Sequence, residues 1–257
     1  MKKNIILTLL LIYPFVAHTF DHNHTLYDNI LKKNIKLIDK GIQSKVNYSA
    51  LKKDDSKKFE KYLTQLSAVT KKEFDSWSKN QQLSFLINAY NAFTIELILK
   101  NYPVKSIKET GSFFKGPWKV KFINLIGKKI SLDEIEHELI RKKGIYDEPR
   151  IHFAVVCASI GCPAIQNEAF TAEKLDLMLE KGLINFLSDQ TRNRYNKREK
   201  VFEVSKIFKW YDGDFKKRYG SVIKLLNSYG KYITAKPSKN ITDIEYLNYD
   251  WNLNDTK

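Results

Sequence analysis

The stretch IHFAVVCASIGCPAI, residues 151–165, holds the only two cysteines of the chain, Cys157 and Cys162, with His152 five residues before the first. Three kinds of chemistry fit these residue types. A Cys157–Cys162 disulfide would close a short loop and contribute only roughly 2 kcal/mol on a chain-entropy account, making it a local clip. A free Cys157 would act as a thiolate nucleophile, given a base such as His137 or His152 to lower its pKa. The two cysteines and two histidines also make a plausible metal-ligand set, but a C-x4-C spacing is looser than zinc usually takes. Neither a metal nor an organic cofactor is expected.

The spacing of the candidate bases matters. If RIHFAVVC is a buried strand ending at Cys157, alternation sends His152 and Cys157 to opposite faces, so they pair poorly without a break or bulge. His137, in LDEIEHEL, is the neater candidate if another element carries it to the thiol, with Glu134 or Glu138 orienting its ring. Asn88 and Asn91 interrupt the otherwise apolar LSFLINAYNAFTIELIL. Three residues apart, they share a helix face. A buried amide without partners costs roughly 1–3 kcal/mol. The pair therefore either binds loop backbone and fixes a neighbouring segment, or lines a pocket and orients a substrate or catalytic side chain.

The elements that must position these residues can be read locally. Thr70 with Glu73 and Ser78 with Gln81 resemble capping boxes, and the second opens a long helix from about Lys79 to Lys100, ending before Pro103. WKVKFINLIGKKISL, with its Gly127 turn, predicts a β-hairpin. Ser131 and Glu134 cap the helix that carries His137, which Gly144 is placed to end. FTAEKLDLMLEKGLINFLSD predicts a helix capped by Thr171, KVFEVS a strand, SVIKLLNSYGKYI a last helix and IEYLNYDWNLN an extended tail. Helices and strands do not alternate regularly. The expected fold is α+β, a helix-rich single domain over residues 20–257 packed on a mostly antiparallel sheet.

The chain has 257 residues, is 43% hydrophobic and carries a formal charge of +15. Basic MKKN followed by an apolar run of about 13 residues has the layout of a secretory signal peptide, residues 1–19, with Ala17 and Thr19 before the cut; the alternative is an uncleaved membrane anchor. A periplasmic or secreted location follows. ALKKDDSKKFEKYL and KWYDGDFKKRYG mix both charge signs, so they read as solvated helix faces and not as a stripe that tracks phosphates. No nucleic-acid partner is expected. The surplus charge is compatible with weak attraction to an anionic envelope surface, and the substrate or ligand is an unknown envelope molecule.

FLINAYNAFTI, YPVKSI, SLDEIEHELIR, DEPRIHFAVVCASIGCPAI, NEAFTAEKLD, IFKWYDGDF and YDWNLN occur in the order found in the domain of unknown function 547 family. From about Val46 to Asn254 the chain resembles that family. Members of that family occur in bacteria, often exported, and as regions of plant and animal proteins, and the resemblance carries no activity with it; its motif positions here are Asn88, Asn91, His137, His152, Cys157 and Cys162. The expectation for function rests on the site. Cys157, His137, His152, Asn88 and Asn91 suit a Cys/His thiol-dependent hydrolase or acyltransferase of the cell envelope, with an asparagine orienting the base or donating to an oxyanion. The alternative is a non-catalytic periplasmic binding module whose Cys157–Cys162 pair is a disulfide.

Overall fold

The long apolar helix is the axis of the protein. A computed structural model describes residues 19–111, 115–235 and 241–257, so the expected signal peptide, apart from Thr19, lies outside the described residues. The chain begins with α1 (Thr25–Asn34), a hairpin of β1 (Ile35–Ile38) and β2 (Gln43–Val46), then α2 (Tyr48–Asp54), α3 (Ser56–Ala68) and α4 (Lys71–Ser76). These surround α5 (Lys79–Asn101), in which every residue from Gln82 to Ile95 is buried. Ser78 and Gln81 form the reciprocal capping box that starts α5, and Tyr102, extended before Pro103, follows its end. At Thr70 the box is only half made. Its hydroxyl accepts from the Glu73 N–H, but the Glu73 carboxylate accepts from the Phe20 N–H instead.

The hairpin of β3 (Ile123–Leu125) and β4 (Lys128–Ile130) turns at Ile126 and Gly127, and α6 (Leu132–Glu134) follows under the expected Ser131–Glu134 box. The same helix continues as a π-helix over Ile135–Ile140, which brings His137 and Glu136 onto its inner side. Gly144 has a left-handed φ of 77°, but it sits in a turn four residues past that helix and does not cap it.

The segment expected to be a strand before Cys157 is not one. Pro149–Phe153 forms a 3-10 helix, because Pro149 supplies the preset φ of a first helical residue and the Glu148 carboxylate accepts from the Arg150 N–H. A short apolar run buried on all sides has no periodicity to distinguish strand from helix.

Beyond the cysteines come α7 (Leu175–Ser188), β5 (Asn193–Asn196), β6 (Val201–Ser205), α8 (Ile207–Trp210), α9 (Asp212–Tyr219), α10 (Val222–Ser228), α11 (Gly230–Ile233) and β7 (Ile244–Leu247). Thr171 lies four residues before α7, and Lys174, not Thr171, occupies its N-cap. The helix expected over SVIKLLNSYGKYI is broken at Tyr229 into α10 and α11. The fold is α+β and helix-rich. In place of one sheet, the described residues form three small ones, antiparallel except where β7 joins β6 in parallel. Apolar side chains form a large cluster around α5 and a smaller one around Phe153, Phe186, Phe208 and Phe215. The cleft described next takes residues from both.

Candidate functional site

A cleft of about 650 Å³ opens along the seam between the two clusters, and its lining includes Cys157, Cys162, His137, His152, Glu136 and Tyr211. Its size is in the range of small-molecule sites. The chain passes through it by a tight turn. Ala158, a buried residue, has a left-handed φ of 59° immediately after Cys157. Gly161 is required at the next bend, where an added Cβ would meet the Asp250 backbone nitrogen and oxygen at 2.9 Å. The tail holds this turn from outside, with the Ile160 N–H donating to the Asn252 carbonyl and the Gly161 N–H to that of Asp250, both at 2.8 Å. Backbone strain of this kind, of order 1–3 kcal/mol, persists only where the surroundings over-determine it.

Both cysteines are free thiols; Cys157 is half-buried and Cys162 buried. The Cys157 N–H donates to Cys162 Sγ at 2.8 Å. Cys157 Sγ lies 3.1 Å from Ser159 Oγ and 3.1 Å from Tyr249 Oη, and Ser159 donates to that same phenol oxygen at 3.0 Å. Proton sharing splits the pair. The hydrogen bond to Cys162 is the largest cause that pushes the Cys157 thiol well up, with burial adding to it. Burial alone would also raise Cys162, but the Cys157 thiol, Tyr249, the Cys157 N–H and Ser159 together draw it down to about 7. Cys162 is therefore the more acidic thiol of the pair.

The two histidines are linked without touching the Cys157 sulfur. His152 is fully buried, and its Nε2 faces Asp214 Oδ2 at 2.9 Å. A nitrogen facing a carboxylate carries the proton, so Nδ1 is the bare one, and it has no partner among the described residues. Desolvation holds the His152 pKa below the ordinary value against the pull of Asp214 and Glu136, and keeps the ring neutral. Tyr211 stacks on it, ring centroids 3.6 Å apart. The bond from His152, followed by that from Arg141, holds the Asp214 carboxyl far below the usual carboxylate range despite burial. Arg141 Nε donates to Asp214 at 2.7 Å, and Arg141 Nη1 contacts His137 Nδ1. With His137 Nε2 3.5 Å from Asp133, both nitrogens of that ring are taken. His137 is therefore the weaker base candidate, and the expected help from Glu134 or Glu138 is absent: Glu134 is bound to Lys121 and Ser131.

The opposite-face argument fails with the strand that carried it, since His152 and Cys157 line the same cleft. Asn88 and Asn91 do not line it. Asn88 donates to the Phe170 carbonyl at 2.7 Å and accepts from the Phe170 N–H at 3.0 Å. Asn91 does the same for the segment leading to Cys157, donating to the Ala154 carbonyl and accepting from the Val156 N–H, both at 2.9 Å. Both asparagines clamp backbone, and the segment that Asn91 holds leads directly to Cys157. A metal set is not assembled either: among the described residues no three His, Cys, Asp or Glu side chains are grouped to hold a metal ion.

Sequence reasoning missed much of the wall. Trp118, Trp210 and Trp251, three of the four tryptophans, line the cleft with Tyr90, Tyr211 and Tyr249. Tyr249 and Trp251 pack at 4.5 Å and Trp210 and Tyr249 at 4.9 Å, so these three rings form a continuous aromatic strip. Arg192 clamps the cysteine turn from behind, donating to the Ile160 and Cys162 carbonyls while paired with buried Asp189. Trp210, Tyr211, Asp214, Tyr249 and Trp251 all fall in IFKWYDGDF and YDWNLN, whose aromatic and acidic density was the available signal.

The fold and site define a helix-rich α+β protein with a paired-thiol cleft. Residues 74–187 match the model of the family described as Protein of unknown function, DUF547. The matched span includes both cysteines, His137, His152 and the two asparagines, whereas Asp214, Tyr249 and Trp251 lie beyond it. Neither the curated proteins nor the solved structures searched contain a match to the chain. Among the described residues, no helix is long and apolar enough to cross a membrane.

Proposed function

We propose that the cleft is a thiol-dependent acyl-transfer site, a hydrolase or acyltransferase with Cys157 as nucleophile, acting in the cell envelope. The observation that carries this reading is the placement, in one cleft, of a half-buried thiol hydrogen-bonded to a more acidic thiol and a neutral histidine oriented by a carboxylate. Cys157 Sγ attacks the acyl carbonyl carbon while its proton passes to the Cys162 thiolate it already faces. Collapse breaks the bond to the leaving amine, alcohol or thiol, which takes up that proton and leaves a thioester on Cys157. Water or an acceptor then cleaves the thioester, losing its proton to His152 Nδ1, and the returning thiolate is protonated in turn. The strained Ala158 turn and the Asn91 clamp support the reading because they fix the backbone on either side of Cys157, a lining residue of the cleft, and the turn does so at a cost in backbone energy.

The chromogenic ester p-nitrophenyl acetate tests it. The expected result is a burst of nitrophenolate with one acetyl group mapped by mass spectrometry to Cys157, lost in Cys157→Ser and slowed in His152→Gln. Acetylation of lysines alone, at an equal rate in Cys157→Ser, would overturn it. The aromatic strip favours a second reading, a binding module without turnover; it predicts ligand binding that survives complete alkylation of both thiols. Export rests on the basic start and apolar run, and intact mass from an exporting host should show loss of about 17–20 residues.

A further inference from the structure

A second cavity, about 620 Å³, lies between α4, the start of α5, the β3–β4 hairpin and the outer side of α6, away from the thiols. Its apolar lining includes Leu86, Leu125, Ile126, Ile130, Leu139 and Ile145. Two features set it apart from an ordinary surface hollow. Ile126 holds a left-handed φ of 52° at the hairpin turn, next to Gly127. A branched side chain there is a backbone outlier, where Asn or Gly would be at ease, and what it gains is a buried apolar group in the cavity. Ile145, at the rim, is one of the few large apolar side chains left exposed.

The polar groups at the cavity are Lys71, Lys79, Lys128, Lys142, Asp75, Glu134, Glu138 and the Gln82–Tyr146 pair. Lys71 is paired with Asp75, and Glu134 with Lys121. Lys79 lies over the Tyr146 ring. Among the described residues Lys79, Lys128 and Lys142 have no acidic partner, and Glu138 is the one carboxylate left to oppose them. An apolar floor with surplus ammonium groups around its mouth is complementary to a chain of methylenes ending in an anion.

We infer that this cavity binds a free single-chain anionic amphiphile, an acyl chain headed by a carboxylate or phosphate. The chain lies on Ile126, Leu125 and Leu139, and the head group meets Lys128 and Lys142. The site stands on its own residues and does not rest on the acyl-transfer reading. It shares α6 with the thiol cleft, since Glu136 and His137 line one side of that helix and Glu138 and Leu139 the other.

Calorimetric titration of the full chain with dodecanoate, below its micelle concentration, tests the inference. The expected result is saturable one-to-one binding, matched by dodecyl phosphate and at least about tenfold weaker for dodecyltrimethylammonium. The double variant Lys128→Glu, Lys142→Glu should weaken dodecanoate by about tenfold or more. Ile126→Asn places a turn-compatible residue at that φ, so it should keep or raise Tm while losing binding, which separates the site from folding. Trp210→Ser, in the thiol cleft, should leave the affinity unchanged. Equal binding of the cationic amphiphile, unchanged affinity in Ile126→Asn, loss of affinity in Trp210→Ser, or sedimentation with phosphatidylglycerol vesicles without saturable dodecanoate binding would each overturn it.

Discussion

The backbone N–H of Cys157 donates to the sulfur of Cys162 at 2.8 Å. It joins the Cys157 thiol, Tyr249 and Ser159 in making the two thiols unequal, because the sulfur that receives the donors is the one that holds a charge more easily. The thiols therefore titrate as a pair, with a first step at about 7 and a second well above the ordinary thiol range. Thiolate absorbance against pH should show both steps. In Cys162→Ala the largest cause that raises Cys157 is gone, and one step should remain, between the two. A first step still at about 7 in that variant would assign the acidic sulfur to Cys157.

Asn91 and Asn88 make the same two kinds of bond to different segments. Replacing either with Leu should destabilise by about 1–3 kcal/mol in urea unfolding, since a buried N–H and carbonyl lose their partner. Only Asn91→Leu should also change the rate of Cys157 alkylation by iodoacetamide in the folded protein. Equal alkylation rates in the two variants would remove the positioning role of Asn91.

His24 is buried, its Nδ1 is hydrogen-bonded with the Tyr62 hydroxyl at 2.7 Å, and burial lowers its pKa to about 3. Below an unfolded value of about 6.5 the unfolded chain takes up a proton that folded His24 refuses. Stability is thus complete above that pH and lost progressively as pH falls towards the folded value, by about 1.4 kcal/mol per unit. His152, also lowered, works in the same direction. His24→Asn, at a left-handed φ of 49° that Asn tolerates, should flatten the fall in urea stability between pH 6 and 5. An unchanged slope would show that His24 is not the titrating group.

Arg192 pairs with Asp189, which is 2% exposed, and holds the carbonyls of Ile160 and Cys162. Arg192→Met leaves a buried carboxylate without its cation and should cost about 3–5 kcal/mol. Adding Asp189→Asn should restore part of that stability but not the clamp on the cysteine turn, so denaturant titration of both variants separates charge from positioning. A double variant no more stable than the single one would show that the lost carbonyl contacts dominate.

Much of the frame was decided by neighbours in sequence. The Ser78 and Ser131 capping boxes, the stop before Pro103, the β3–β4 hairpin and the buried character of α5 are set within a few residues, and each follows from groups that reach one another along the chain. The need of Asn88 and Asn91 for buried partners was legible for the same reason. What the partners are was not, because Phe170 and Ala154 lie 82 and 63 residues away. Tertiary packing decided the site. Asp214 reaches His152 across 62 residues and Tyr249 reaches Cys157 across 92, contacts that no local periodicity encodes. The run before Cys157 adopted a 3-10 turn and not a strand because it is buried on every side, where Pro149 and the Arg150 ion pairs outweigh β-propensity. That one change put His152 and Cys157 in the same cleft.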